Sequence, residues 1–326
     1  MDWLQILNNT ARFILAPETL AYALAAIGLS MHFGFTGLLN FGQAGFMALG
    51  AYGYAISVLS FDLPWWLGII IGMAAAAVFA IILGIPTLRL RADYLAIVTI
   101  AAAEIVRLLF TTQVFDEYTN SADGLSGYHA GFRAANPIPD GTYGAGPFTF
   151  NETQWWVRIF GLALVVVAAL IVFLLMRSPW GRVLKGIRED EDAVRALGKN
   201  VFAYKMQSLI IGGMFGALGG VVLVLPSAVS PSEYVTSLTF FLYTILLLGG
   251  AATIFGPIVG SVIFWVMSAF ISNVLPQLQN IGALGFLTDA QVPAVRYIIV
   301  GLALMLIVIF RPQGIFGNKK ELTFVK

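Results

Sequence analysis

The chain has 326 residues, 59% of them apolar and only 11% charged, with a formal net charge of +1 and no cysteine, and its mean hydropathy is +0.87. Such a composition excludes a soluble domain, disulfides, thiolate metal sites and a cysteine nucleophile, and no basic tract points to nucleic acid. The apolar runs are continuous rather than alternating, which excludes a β-barrel and predicts an all-α polytopic membrane protein with roughly 8–10 transmembrane helices.

The opening MDWLQILNNTARF lacks the basic, apolar and small-residue succession of a cleavable signal peptide, and residues 2–15 read as a short amphipathic helix ended by Pro17. A first span, Glu18–Phe33, runs into Gly34-Phe35-Thr36-Gly37-Leu38-Leu39-Asn40-Phe41-Gly42-Gln43, which predicts a broken or re-entrant segment near 34–45. A helical piece over Ala44–Phe61 is closed by Asp62-Leu63-Pro64. Spans at Trp65–Leu88, ending on Arg89 and Arg91, and at Tyr94–Thr112 follow. Residues 113–156 are a polar loop rich in Gly, Pro, Asn and Asp, whose turns carry no readable ligand specificity. Val157–Met176 leads into a charged island at 177–205. Beyond it come Met206–Leu225, Leu238–Leu248, Ile258–Leu275 and Pro293–Phe310, then Arg311 and a tail with Lys319 and Lys320. The whole of 1–326 is expected to form one membrane domain.

The island, RSPWGRVLKGIREDEDAVRALGKNVFAYK, holds seven of the 18 Lys/Arg and four of the 17 Asp/Glu. Placing it in the cytoplasm puts Arg89, Arg91 and the Arg311 tail there too, so that 13 of 18 basic residues lie inside. The exceptions are Arg12, Arg107, Arg133, Arg158 and Arg296, and the 113–156 loop falls outside. The side of the N-terminus stays open. Ser178-Pro179-Trp180-Gly181 reads as a turn, and Arg188–Leu197 as a short helix with its acids leading and Gly198 as its stop. Val194 and Leu197, spaced i,i+3, give that helix a small apolar edge. The island is either a solvated positive-inside loop or a docking surface.

Chemistry is absent from the motifs. No Lys is followed by Ser or Thr, so there is no GxxxxGK[ST] to hold ATP; HExxH and GxSxG are missing, and only His32 and His129 occur. Neither an enzyme nor a metal or other cofactor is expected. In the 34–53 stretch, Gly37 and Gly42 permit bends or close packing while Asn40 and Gln43 offer hydrogen bonds, so this stretch either lines a translocation pathway or packs helices. Glu104 and Arg107, i,i+3 within a span, either pair structurally or face the pathway. Gly212, Gly216 and Gly220 form a small-residue ladder, for a neighbouring helix or for another subunit.

Asp192-Ala193-Val194-Arg195-Ala196-Leu197-Gly198 resembles EAAxxxG, the coupling-loop signature of ABC importer permeases. The wider SPWGRVLKGIREDEDAVRALGKNVFAYK is similar to that loop in the high-affinity branched-chain amino acid permeases, the LivM-like half. GLLNFGQAGFMALGAY (37–52), NSADGLSG (120–127), SPSEY (230–234), LLLGG…FGPIVG (247–260) and RPQGIFG (311–317) agree in order, so the resemblance covers about residues 20–317. Asp192 stands for the usual Glu, Ala252 replaces a frequent Gly, and no IxLP follows, which argues against the maltose-type importer fold.

The resemblance implies a bacterial inner-membrane transport subunit without ATPase activity of its own. Its partners would be a second homologous permease subunit, two ATP-binding subunits and an extracytoplasmic substrate-binding protein. Gly186, Arg188, Glu189, Asp192, Ala193, Leu197 and Gly198 would contact the ATP-binding subunit. The implied substrate is a branched-chain or other hydrophobic amino acid. Urea or short amides are the rival within the superfamily, and a secondary transporter or channel the rival outside it.

Overall fold

A backbone in hydrocarbon has to close its hydrogen bonds internally, and this chain does so with helices. The computed structural model describes residues 3–88 and 92–280, together with 291, 294–295, 298, 301–302, 305–306, 309–310 and 313–317. Helix α1 (Trp3–Ala11) is followed by α2 (Pro17–Leu29), which continues as a π-helical turn over Ser30–Phe35. After a non-helical stretch come α3 (Gln43–Ser60), α4 (Trp65–Thr87) and α5 (Ala92–Thr111). The 113–151 region carries two single-turn helices, α6 (Asp116–Thr119) and α7 (Ala130–Ala134), and a small antiparallel pair, β1 (Thr142–Tyr143) with β2 (Phe150–Asn151). Then follow α8 (Glu152–Arg177), α9 (Pro179–Glu189), α10 (Glu191–Ala196), α11 (Val201–Val224), α12 (Thr236–Gly249) and α13 (Gly256–Asn280).

Local sequence explains the boundaries. Pro17, Pro64 and Pro179 sit at or just before the first helical residue, where no amide hydrogen is needed. Asn151 and Gln154 form a reciprocal capping box at the start of α8. Asn200 accepts from the Ala203 amide and starts α11 five residues before the apolar run begins. Ser178-Pro179 does not make an isolated turn. It opens α9, whose buried Gly181, Leu184 and Ile187 recur at a helical spacing that the surrounding charges obscure.

Among the described residues, five helices are long and apolar enough to cross a membrane: Trp65–Thr87, Tyr94–Thr111, Glu152–Arg177, Val201–Val224 and Gly256–Gln279. The bent pair Trp3–Leu15 and Pro17–Phe35 makes a sixth. The shorter apolar α12 and the buried α3 add to them. The all-α polytopic architecture expected from composition is therefore what forms. Arg89, Arg91, Arg296, Arg311, Lys319, Lys320 and the remainder of the 293–310 span lie outside the described residues; those described between 294 and 310 are helical.

Helix α8, at 26 residues about 39 Å long by the rise per residue, separates two faces. One carries 113–151, with 225–235 tied to it by the bridge between Leu125 and Val229. Helix α1 packs against α13 and the turn at Gly146–Phe148, and Arg12 Nε donates to the Pro147 carbonyl at 3.0 Å, so the N-terminal helix belongs to this face as well. The opposite face carries 178–200, where Ile315 and Phe316 donate backbone bonds to Leu248 and Gly249 at the end of α12.

The core is the packing of α2, α3 and α11, while α4, α5 and α8 turn Ile82, Ile97, Ile105, Val166 and Leu174 outward, as lipid-facing helices do. The glycine ladder on α11 is internal. A Cβ on Gly212 would fall on the His32 ring, one on Gly216 on Gln43 and one on Gly220 on the Met47 carbonyl. Gly220→Val should therefore push α11 off α3 and destabilise the fold by about 1–3 kcal/mol. Gly131→Ala, whose Cβ would meet only Trp65 atoms at 3.7 Å and beyond, should be close to neutral. Thermal unfolding of the purified chain in nanodiscs separates the two.

Candidate functional site: a broken membrane segment and the helical face beneath it

The chain reverses at Phe35–Gly37 and runs back beside its own helix. Gly37, at φ +75°, adopts the left-handed conformation that glycine accepts at no steric cost. Its amide donates to Phe33 O at 3.2 Å, and Leu38 donates to His32 O at 2.8 Å. From there to α3 side chains take over the backbone partners. The Phe41 amide donates to Thr99 Oγ1 (3.0 Å), Gly42 to Asn40 Oδ1 (2.9 Å) and Ala44 to Thr239 Oγ1 (3.0 Å), while Tyr243 Oη donates to Asn40 O (3.0 Å).

These bonds orient a polar core. Because Asn40 Oδ1 accepts from Gly42, its Nδ2 faces His32 Nδ1 at 2.9 Å and Gln43 Oε1 at 3.2 Å. Nδ1 of His32 thus accepts, and the ring proton sits on Nε2, which donates to Leu209 O at 3.1 Å; the imidazole is neutral. Gln43 Nε2 donates to Ala25 O (3.2 Å) and Gly212 O (3.3 Å), linking α2, α3 and α11. Thr36 and Ser208 bond through their hydroxyls at 2.6 Å, both against the Met31 carbonyl. His32, Asn40 and Gln43 are each 0% exposed and Gly42 is buried as well, so in this conformation three of the pathway candidates are sealed inside the bundle.

His32, Thr36, Thr99, Ser208, Thr239 and Tyr243 were not legible as site residues. Their partners lie across a chain reversal or on distant helices, and no periodicity reports such distances. The one available signal was a histidine within an apolar span, since a polar group at that depth requires a partner.

Glu104 and Arg107 stand elsewhere. They form a bidentate pair on α5, Arg107 Nη2 to Oε1 at 2.5 Å and Nε to the two oxygens at 3.1 and 3.0 Å. Their side chains are 37% and 20% exposed, and among the described residues no hydrogen bond joins them to the His32–Asn40–Gln43 core.

On the opposite side of the broken segment lies the island. Asp190 caps α10 by accepting from the Ala193 amide at 2.9 Å. Glu191 pairs with Arg195 at 2.8 Å and with Lys205, and Asp192 with Arg195 at 2.9 Å, so three of the four acids, Asp190 included, are engaged in capping and pairing α10. The expected apolar edge is split. Val194 is 8% exposed, turned inward against Gly186 where a side chain would crowd it, whereas Leu197 is 79% exposed. Gly198 closes the helix at φ +77°. Of the predicted contact residues, Glu189, Asp192, Ala193, Leu197 and Gly198 are exposed, while Gly186 and Arg188 point into the protein.

Arg188 joins the two regions. Its Nη1 donates to Gly34 O at 2.7 Å, supplying the donor that the interrupted helix cannot, and its Cγ lies 3.2 Å from where a Gly37 Cβ would stand. Gly34 in turn lies where an added Cβ would meet the Ala251 carbonyl at 2.8 Å, within the 247–260 stretch.

Residues 13–309 match the family described as branched-chain amino acid transport system / permease component. The chain belongs to this family. It is 30% identical over 263 residues to the high-affinity branched-chain amino acid transport system permease protein LivM of Escherichia coli (strain K12), covering 77% of this chain and 61% of that protein. The match thus spans less than two thirds of that relative. The probable branched-chain amino acid transport permease protein LivM of Methanocaldococcus jannaschii is 25% identical over 342 residues, covering 93% of this chain and 92% of that one. A nucleoside ABC transporter permease protein, NupC of Lactococcus lactis, is 26% identical over 225 residues, with 66% and 68% covered. The chain is accordingly a multi-pass membrane protein.

The Glu104–Arg107 pair has a clear test. If the two only hold each other, Glu104→Gln and Arg107→Gln singly should each destabilise the chain by leaving one charge unpartnered. The double variant should then recover about 1–3 kcal/mol of that loss together with uptake. Recovered stability without recovered uptake in the reconstituted transporter would place the pair in the pathway.

Proposed function

We propose that this chain is a membrane permease subunit of an ATP-driven importer, translocating branched-chain amino acids handed over by a substrate-binding protein. In this reading the 113–156 loop is extracytoplasmic and 177–205 is the cytoplasmic coupling loop. Two ATP-binding subunits and a second homologous permease subunit complete the complex in the cell membrane, and no ATP is hydrolysed by this chain.

One observation carries the reading: Arg188, on the helix just before the EAAxxxG-like segment, holds the carbonyl of Gly34 at 2.7 Å in the broken membrane segment. A push on the exposed Asp192, Ala193, Leu197 and Gly198 reaches α9 through Val194, seated on Gly186, and passes from Arg188 to the π-helical turn. A π-turn and a left-handed glycine can rewind or extend with little cost in contacts, so 30–42 is the element that switches. Its rearrangement exposes Asn40 and Gln43 to the substrate path and reseals them. Glu189 is a further exposed acid on the docking side.

The relatives support the substrate unevenly. LivM proteins transport branched-chain amino acids by their names, whereas NupC and the guanosine permease NupQ of Bacillus subtilis bring nucleosides in as a second reading. Urea or short amides are a further alternative from the motifs. Uptake of labelled leucine against labelled guanosine by the reconstituted transporter decides between the first two.

Coupling itself is tested on the loop. The double variant Leu197→Asp/Gly198→Asp should fold normally yet lose substrate-stimulated ATP hydrolysis; normal stimulation sinks the docking role. Arg188→Ala should leave docking intact and reduce coupled uptake roughly tenfold, about the worth of one charged hydrogen bond. Arg188→Lys, which keeps a donor for Gly34, should recover part of it.

A further inference from the structure

Arg12, Arg133 and Arg158 break the positive-inside pattern, and the structure gathers them at the amino end of α8. Arg158 lays its guanidinium 3.7 Å from the Phe150 ring centroid, and Arg12 approaches the same ring at 5.9 Å. Arg133 and Arg158 line a cavity of about 330 Å³ together with Asn151, Thr153 and Gln154, and no acid belongs to its walls. Arg158 Nη1 donates to Gln154 O at 2.9 Å, but its Nε is enclosed without a hydrogen-bond partner. Among the described residues neither arginine of the cavity forms an ion pair; Glu18 and Arg12 act on Arg158 through their fields, in opposite senses. Two permanent positive charges without an acid between them fit an anion.

The course of α8 below the cavity indicates which anion. Leu162 and Val166 stand four and eight residues beyond Arg158, on the same strip of the helix, and both are exposed. The strip under the arginine therefore faces hydrocarbon. Trp155 and Trp156, just before it, donate their ring N–H groups to the Tyr143 and Phe132 carbonyls at 3.0 Å each, with the polar edge toward the loop as in an interfacial aromatic belt. Pro17 and Leu225 give the cavity an apolar side. It thus lies at headgroup depth, with surface for acyl chains directly beneath.

We propose that this cavity binds the phosphodiester of an anionic glycerophospholipid of the phosphatidylglycerol type. Arg158 and Arg133 take the phosphate oxygens as planar donors, and the acyl chains run along Leu162 and Val166. Asn151 and Gln154 use their side-chain oxygens in the capping box, which leaves their NH2 groups to meet the glycerol hydroxyls. A choline or ethanolamine headgroup would bring a cation toward the arginines and fits less well. The site is independent of what the permease carries and of how it is driven.

Native mass spectrometry of the full chain, purified with equal amounts of phosphatidylglycerol and phosphatidylcholine, tests this. One phosphatidylglycerol should be retained about tenfold in preference to phosphatidylcholine. Arg158→Gln and Arg133→Gln should each cut that preference several-fold, and Arg158→Lys, which keeps the charge without the planar fork, should fall between. Lys185→Gln, on the opposite face, should leave it unchanged, which separates a built site from general attraction to positive charge. Thermal unfolding in phosphatidylcholine nanodiscs is measured alongside; if Arg158→Gln unfolds early, Arg133→Gln, whose side chain lies on the exposed rim, decides. Equal retention of the two lipids overturns the site, as does indifference to both arginine substitutions. Glycerol phosphate, the anion without chains, should not displace the lipid; displacement makes the cavity a soluble-phosphate site and overturns the lipid assignment. If Arg158→Gln keeps its phosphatidylglycerol but binds an acidic substrate-binding protein less tightly, the surface is a protein dock and the proposal fails.

Discussion

The structure depends on one constraint: backbone that leaves its helix at membrane depth must find every lost hydrogen bond again inside the protein. The stretch 34–44 meets that constraint with side chains from three other helices and one of its own. Thr99 comes from α5, Thr239 and Tyr243 from α12, Arg188 from α9, and Asn40 folds back on its own amides. Each of those helices is therefore positioned by the break as much as by apolar packing. An unpaired amide or carbonyl in a sealed core costs about 1–3 kcal/mol, so the surrounding helices cannot slide independently of the segment.

That arrangement also gives the segment two properties a transporter element needs. Its polar core is fully paired, which makes one arrangement well defined, since a satisfied buried network discriminates sharply against near misses. Its amino-terminal approach is soft: the π-helical turn over Ser30–Phe35 is followed at once by the left-handed Gly37. The single charged contact to the broken segment from outside the bundle core is Arg188, among the described bonds, and it comes from α9, the helix that leads directly into α10.

The fold was legible in the sequence where physics is local. Apolar length marked the helices, Pro17 and Pro64 marked breaks between them, and the glycine-rich 34–43 stretch announced the break, whereas the start of α11 at Asn200 was hidden in the charged island. The N-terminal side was not legible, because it turns on Arg12 reaching Pro147, 135 residues away. Helix α9 was missed because its inward positions, Gly181, Leu184 and Ile187, are separated by Arg182, Val183, Lys185 and Gly186 in a segment dominated by charge. The apolar edge of α10 was misassigned for a related reason. Spacing puts Val194 and Leu197 on one side of a helix, but only the tertiary structure reveals that Gly186 opens a seat for Val194 alone.

The short motifs that were weak one by one acquire meaning as contacts. NSADGLSG meets the residue preceding SPSEY through the Leu125–Val229 bridge, and RPQGIFG pairs its Ile315 and Phe316 amides with the Leu248 and Gly249 carbonyls of LLLGG. GLLNFGQAG lies against Gly212 and Gly216 of α11, and its Gly37 lies under Arg188 of the island. Each meeting closes one end of a helix or one turn of backbone that bilayer or solvent would otherwise leave exposed. A chain built this way concentrates its recognisable residues at helix ends and breaks. The long apolar spans between them need only length and hydrophobicity, which many sequences supply. The break at 36–42 and the loop at 178–200 are thus readable for the same reason: both must satisfy polar backbone beside a membrane, and few residue combinations do.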